Sequence, residues 1–160
     1  MAENYRFTTT WKIQAPLRQV WDAIYFSEDW PGWWKDFTSV TEIEKGDENS
    51  IGSIRVYKLK SPVFYTLSFN LSLTKRVDLQ YLEGKATGEL EGTGAWQFSE
   101  RNGITEVTCI WNVATNIKWM NALAFLLKPL FRYNHQLVMR NGAHALAARL
   151  NAPLIDMSAK

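Results

Sequence analysis

From Tyr5 to Ile13 the chain alternates strictly: Tyr5, Phe7, Thr9, Trp11 and Ile13 share one face, and Arg6, Thr8, Thr10 and Lys12 the other. That period of two is the signature of a half-buried strand. Ala15-Pro16 closes it, and Pro16 suits the first position of a helix. Leu17, Val20, Trp21 and Ile24 then recur at helical spacing, predicting a short amphipathic helix over Pro16–Tyr25. Ser27 is read as the cap of a second short helical turn, with Glu28 and Asp29 at its positive end. The turn runs into Trp30-Pro31-Gly32-Trp33-Trp34, a structured loop that either gates an opening or closes one end of the core.

Six further strands follow between turn signals. They are Phe37–Glu44, Ser53–Leu59, Tyr65–Thr74, Val77–Lys85, Glu89–Ser99 and Ile104–Ala114, broken at residues 45–49, at Ser61-Pro62 and at residues 100–103. Tyr65, Leu67, Phe69, Leu71 and Leu73 alternate cleanly. Leu90, Gly92, Gly94, Trp96 and Phe98 share a face, as do Val107, Cys109, Trp111 and Val113. Short breaks of this kind belong to an antiparallel meander. Gly92 and Gly94 in mid-strand predict curvature or the close approach of another element.

The last element is a long helix, Trp119–Leu150, about 48 Å at roughly 1.5 Å per residue. Lys128, Arg132, Gln136 and Arg140 form a narrow polar wedge along it. Opposite the wedge fall Leu127, Leu130, Asn134, Leu137, Val138, Asn141 and Ala145, with His135 and Gly142 on the flank. Asparagines aimed into an apolar arc need partners, which predicts that this face looks into a cavity. Pro129 lacks the N–H that would bond the Phe125 carbonyl, so a kink is expected there. The order is strand, two short helices, six strands and one terminal helix, which is the α+β layer solution: a curved antiparallel sheet of about seven strands with the helix laid over one face.

At 160 residues the chain reads as one domain, 1–160, able to build a core without staples. Eight Trp, eight Phe and six Tyr are many, and aromatics of this kind often line ligand sites. A single cysteine and an N-terminus without a leader's apolar run fit a cytoplasmic setting. No apolar stretch is long enough to span a membrane, because Lys128 and Arg132 break the longest one. Charge is unevenly spread. Residues 1–106 carry 12 Lys/Arg against 15 Asp/Glu, whereas Val107 to Ile155 contains five basic residues and no acid. Such a helix either faces solvent and the acids of the sheet or touches an anionic surface. Nucleic acid is disfavoured, because the basic residues form no dense stripe.

Little here carries covalent chemistry. His135 and His144 project to opposite sides of one helix and cannot share a metal, and Cys109 offers no second thiolate, so no metal or cofactor is expected. Phosphate-loop, dinucleotide and nucleophile-elbow patterns are missing. Cys109 lies among apolar neighbours, which raises a thiol pKa and makes it a poor nucleophile. His135 is the only candidate general base. Arg55 and Tyr57 share one strand face. If that face is inward, the guanidinium can hold a carboxylate or phenolate; if outward, it is a surface residue.

In order and spacing the chain resembles the START-like, or SRPBCC, superfamily in its polyketide cyclase/dehydrase-type branch. The resemblance lies in Ala15-Pro16 to Val20-Trp21-Asp22-Ala23-Ile24, Trp30-Pro31 with Trp33-Trp34, Gly88 to Trp96, and Pro129 to His135 with Val138-Met139. It implies a helix-grip fold with a hydrophobic cavity between sheet and long helix, and it does not imply a reaction. The reading is therefore a binder of a hydrophobic or amphipathic small molecule (lipid, aromatic or polyketide-like), with no cofactor and no assigned oligomeric state. Its proposed ligand-binding residues are Trp34, Arg55, Tyr57, Tyr65, Phe69, Trp96, Trp111, Phe131, Asn134, His135, Val138 and Asn141. Two alternatives stand beside it. One is a cyclase, aromatase or dehydratase working by acid–base chemistry in the same cavity, and the other is a lipid or quinone carrier that contacts membranes.

Overall fold

The alternation at the N-terminus becomes β1 (Asn4–Ile13), whose odd-numbered side chains Tyr5, Phe7, Thr9, Trp11 and Ile13 are all buried. The computed structural model describes residues 4–61 and 65–160; Pro62, half of the predicted Ser61-Pro62 break, lies outside them. Next come α1 (Leu17–Tyr25) and a 3₁₀ turn (Ser27–Gly32). Glu100 Oε1 accepts the Leu17 N–H at 3.0 Å, so a carboxylate from the sheet caps the start of α1. The meander is β2 (Phe37–Glu44), β3 (Ile54–Lys60), β4 (Thr66–Val77), β5 (Tyr81–Gly88), β6 (Leu90–Arg101) and β7 (Ile104–Thr115).

These strands form an eight-stranded sheet in the order β2-β3-β4-β5-β6-β7-β1-β8, with every described pairing antiparallel. Sequential neighbours pair throughout the meander, and β1 closes onto β7. The glycines of β6 behave as their position predicts. A side chain at Gly94 would run into the ring of Trp111, and Gly92 takes φ +144 against the Asn112 backbone.

The eighth strand was not expected. After the long helix, β8 (Leu154–Ala159) returns along β1 and pairs Trp11 with Met157. The helix is therefore not terminal. It is stopped by an αL cap: Asn151 takes φ 50, its N–H bonds Ala148 O at 3.1 Å, and Ala152 N–H reaches Ala147 O at 2.9 Å. Six residues, most of them exposed, carry too faint an alternation to announce a strand.

The predicted helix is also divided. A short α2 (Lys118–Ala122) precedes α3 (Ala124–Arg149), and the interruption falls at Leu123, not at Pro129, which sits inside α3. The face α3 turns inward is shifted from the predicted one. Phe131, Asn134, Val138, Met139, Gly142 and Leu146 are buried, whereas Leu130, Leu137, Asn141 and Ala145 are only half-buried. The cause is Gly142. Any β-carbon there would fall 2.5 Å from the Trp34 indole, so only a glycine lets the helix pack against that ring.

Under α3 lies the main core of Trp11, Trp21, Trp30, Trp34, Phe37, Tyr57, Phe69, Val138 and Leu146. Tyr5, Phe7, Met120 and Phe131 form a second cluster beneath α2 and the start of α3. The Trp30–Trp34 segment belongs to the core: both of those rings are buried, and the Trp30 indole N–H donates to Ala23 O at 3.0 Å.

Candidate functional site

Between the inner sheet face and α3 the side chains leave a cavity of about 210 Å³. Its walls follow from strand parity. Along β3 the inward positions are Arg55, Tyr57 and Leu59, and the same parity continues to Ser61; along β4 they are Leu67, Phe69, Leu71 and Leu73, with Tyr65 just before. Trp96, Cys109 and Trp111 close the sheet side, and Phe131, Asn134, His135 and Val138 the helix side. All the residues proposed from the sequence line this space except Asn141. That amide donates instead to Asp36 Oδ2 at 3.1 Å, fastening α3 to the start of β2. Asp36 is itself buried, and burial pushes its carboxyl above the usual range against the opposing pull of Asn141 and Lys35.

Polar groups collect at two ends, about 20 Å apart along β3 at roughly 3.3 Å per residue. At one end Arg55 faces inward and donates from Nη1 to Tyr25 O at 2.7 Å and to Ser27 Oγ at 2.8 Å. Ser27 Oγ also shares a 2.7 Å hydrogen bond with the buried Tyr57 hydroxyl. The Ser27 hydroxyl thus does not cap the 3₁₀ turn, as expected from its position, but joins that turn to β3. Burial raises the Tyr57 phenol, so it stays protonated.

At the other end Asn134 is buried in α3 and satisfied on both sides. Its carbonyl accepts from the Ser61 hydroxyl, and its Nδ2 donates to the Tyr65 hydroxyl at 2.8 Å. Ser61 looked like nothing more than a turn residue in the sequence; only its place in the 55-57-59 series could have marked it. The next residue, His135, stacks on Phe7 with ring centroids 4.0 Å apart and planes 12° apart. No hydrogen bond among the described residues uses its imidazole, and burial pulls its pKa down to about 4. Cys109 is inert as expected, its thiol pushed up to about 12 by burial.

The imidazole gives a measurable pH dependence. In the unfolded chain His135 takes up a proton near its ordinary 6.5, while in the folded protein it resists until about 4. Stability contributed by the neutral ring is complete above about 6.5 and is lost as the pH falls towards about 4, by about 3 kcal/mol at most. Asp36 acts in the opposite sense, because its raised carboxyl takes up its proton first in the folded state. The comparison of wild type with His135→Phe isolates the imidazole: denaturant unfolding across this range should show a shallower acid loss in the variant, and parallel curves would contradict the assignment.

A curved antiparallel sheet gripping a long helix across an apolar cavity defines a helix-grip protein. The sequence matches the family described as polyketide cyclase/dehydrase and lipid transport over residues 13–132, and the chain belongs to that family. No protein with a curated description matches it. Among solved structures it is similar to the di-domain aromatase/cyclase BexL of the BE-7585A biosynthetic pathway (TM-score 0.74, 17% identity, 94% of this chain and 51% of that one). This chain therefore spans about half the length of BexL. It is also similar to a START superfamily protein from Mycobacterium smegmatis (TM-score 0.73, 9% identity, 92% and 98%). The ZhuI aromatase/cyclase from Streptomyces sp. R1128 is a third (TM-score 0.71, 9% identity, 93% and 94%). At these identities the likeness is one of fold.

Proposed function

We propose that the protein binds a small hydrophobic or amphipathic molecule in this cavity, non-covalently and without transforming it. One observation carries the reading: the cavity is apolar through its middle, and its polar groups are confined to the ends, where most are bonded to one another. Groups already engaged in this way orient a guest rather than attack it. The volume lies below the roughly 300–1,000 Å³ of drug-sized sites, which favours a compact ligand or one whose entry moves the helix. The polar anchor belongs to the Asn134–His135 end, where the neutral imidazole still has donor and acceptor capacity.

The test is native mass spectrometry of the purified protein for a co-purifying ligand, followed by titration with cis-parinaric acid and 2-naphthol as probes. At least one probe should bind, and Asn134→Ala with His135→Ala should weaken it about tenfold, the value of one good hydrogen bond. Failure of both probes together with an empty native spectrum overturns the reading; unchanged affinity in the double variant overturns the anchor. A second reading, acid–base cyclisation or dehydration of a polyketide-like substrate, has the neutral His135 on the wall in its favour. It requires turnover of a poly-β-keto substrate that disappears in His135→Gln while probe binding persists.

A further inference from the structure

The outer side of α2 and the first turn of α3 is built against the rules of a solvent face. Met120 and Ala124 are buried, Met120 against the cavity. The residues between and beyond them point outward: Trp119 is 46% exposed, Leu123 43%, Phe125 79% and Leu126 63%. Most other large apolar side chains of the described residues are tucked into the sheet or under the helix, and the remaining exposed ones are scattered singly. A contiguous group of tryptophan, phenylalanine and leucine left in water marks a contact surface. The segment is apolar around most of its circumference, the pattern of a helix meant to be covered on more than one side.

The charges beside the patch choose the partner. Lys118 and Arg132 are exposed near it, and the chain holds no acidic residue from Val107 to Ile155. Glu89, on the neighbouring turn, has its carboxylate bonded to the Ser68 N–H at 2.7 Å. A second copy would bring like charges together, whereas an anionic surface would neutralise them. Aromatic and leucine side chains beside lysine and arginine, where no described helix is both long and apolar enough to cross a membrane, have the composition of a segment that lies in a bilayer interface. We propose that α2 and the start of α3 form a docking face for an anionic lipid bilayer, with Trp119, Leu123, Phe125 and Leu126 entering the headgroup–acyl boundary. The same segment closes one end of the cavity through Met120, so docking would place the cavity's end at the membrane surface.

Flotation of the unliganded protein with vesicles tests this independently of the cavity's occupant, because probe titration reads the cavity and flotation reads the surface. The vesicles are phosphatidylcholine alone and phosphatidylcholine mixed with phosphatidylglycerol. The protein should float with the mixed vesicles, less with the neutral ones, and less as salt rises. Phe125→Ser with Leu126→Ser should cut the bound fraction at least tenfold, and Lys118→Glu should erase the preference for the anionic lipid. If the double variant does not fold, brominated phosphatidylcholine in the mixed vesicles should quench wild-type tryptophan emission more than that of Trp119→Phe. Equal flotation of wild type and double variant overturns the proposal, as does equal quenching or the absence of flotation. So does a wild-type dimer that the double variant turns into a monomer while vesicles capture neither.

Discussion

Trp34→Ala should cost about 3–5 kcal/mol of stability, the range for deleting a fully buried large aromatic, and lower the midpoint of thermal unfolding by on the order of 10 °C for a chain of this size. Its side chain connects several parts of the fold. Its indole is 1% exposed and meets Trp11, Trp30, Trp33 and Phe37 in ring contacts with centroids 4.8–5.7 Å apart. The indole N–H donates to Val138 O in α3 at 3.0 Å, and the ring occupies the space that Gly142 leaves open. The 3₁₀ turn, the beginning of the meander and the long helix are thus held by one residue. Trp34→Phe should fall between wild type and alanine, because it keeps most of the area but loses the hydrogen bond. Trp34 also lines the cavity, so the void left by alanine would open into it, and larger probes should then gain affinity relative to small ones. Denaturant unfolding of the three proteins decides the matter; a loss below about 1 kcal/mol for alanine would mean that the neighbouring rings collapse into the gap.

The architecture was largely legible because its signals are local. Period-two alternation in β1, β4, β6 and β7 picked out both the strands and their inward residues, and parity placed Tyr65, Phe69, Trp96 and Trp111 on the cavity wall. What escaped depends on contacts between distant segments. The inward side of Arg55 and Tyr57 is decided by where α1 and the 3₁₀ turn lie against β3, which the pattern of β3 alone does not encode. The shifted face of α3 follows from a glycine read as flank but used as the seat of an indole some 100 positions earlier, as the Trp34–Val138 hydrogen bond records. Asn141 was correctly taken to need a partner, but that partner is Asp36, a residue the alternation of β2 gives no reason to bury. The chain past Leu150 was read as an end, because the cap at Asn151 and the strand after it carry almost no apolar pattern.

Arg55→Met should destabilise the fold by about 3 kcal/mol, the scale of breaking a buried charge pair from one side. The side chain is 15% exposed; its Nη1 serves the Tyr25 carbonyl and Ser27 Oγ, and its Nε lies 3.5 Å from Glu42 Oε1 on the paired strand. Removing it leaves a carbonyl at the end of α1 short of its donor and a carboxylate without its cation. Glu42 can still reach water, which keeps the loss toward the lower end of that range. Arg55→Lys should recover little, because one ammonium cannot span two acceptors and a carboxylate in this fork geometry. Glu42→Leu combined with Arg55→Met should return part of the loss, since no lone charge then remains. Probe titration separates a structural role from a ligand contact. With Nη1 committed to Tyr25 and Ser27 and Nε beside Glu42, Arg55 joins α1 to the sheet, and the folded variant should bind cis-parinaric acid within about threefold of wild type. Intact stability with lost binding would make the guanidinium a ligand anchor instead, and would move the polar end of the guest to the opposite end of the cavity from Asn134.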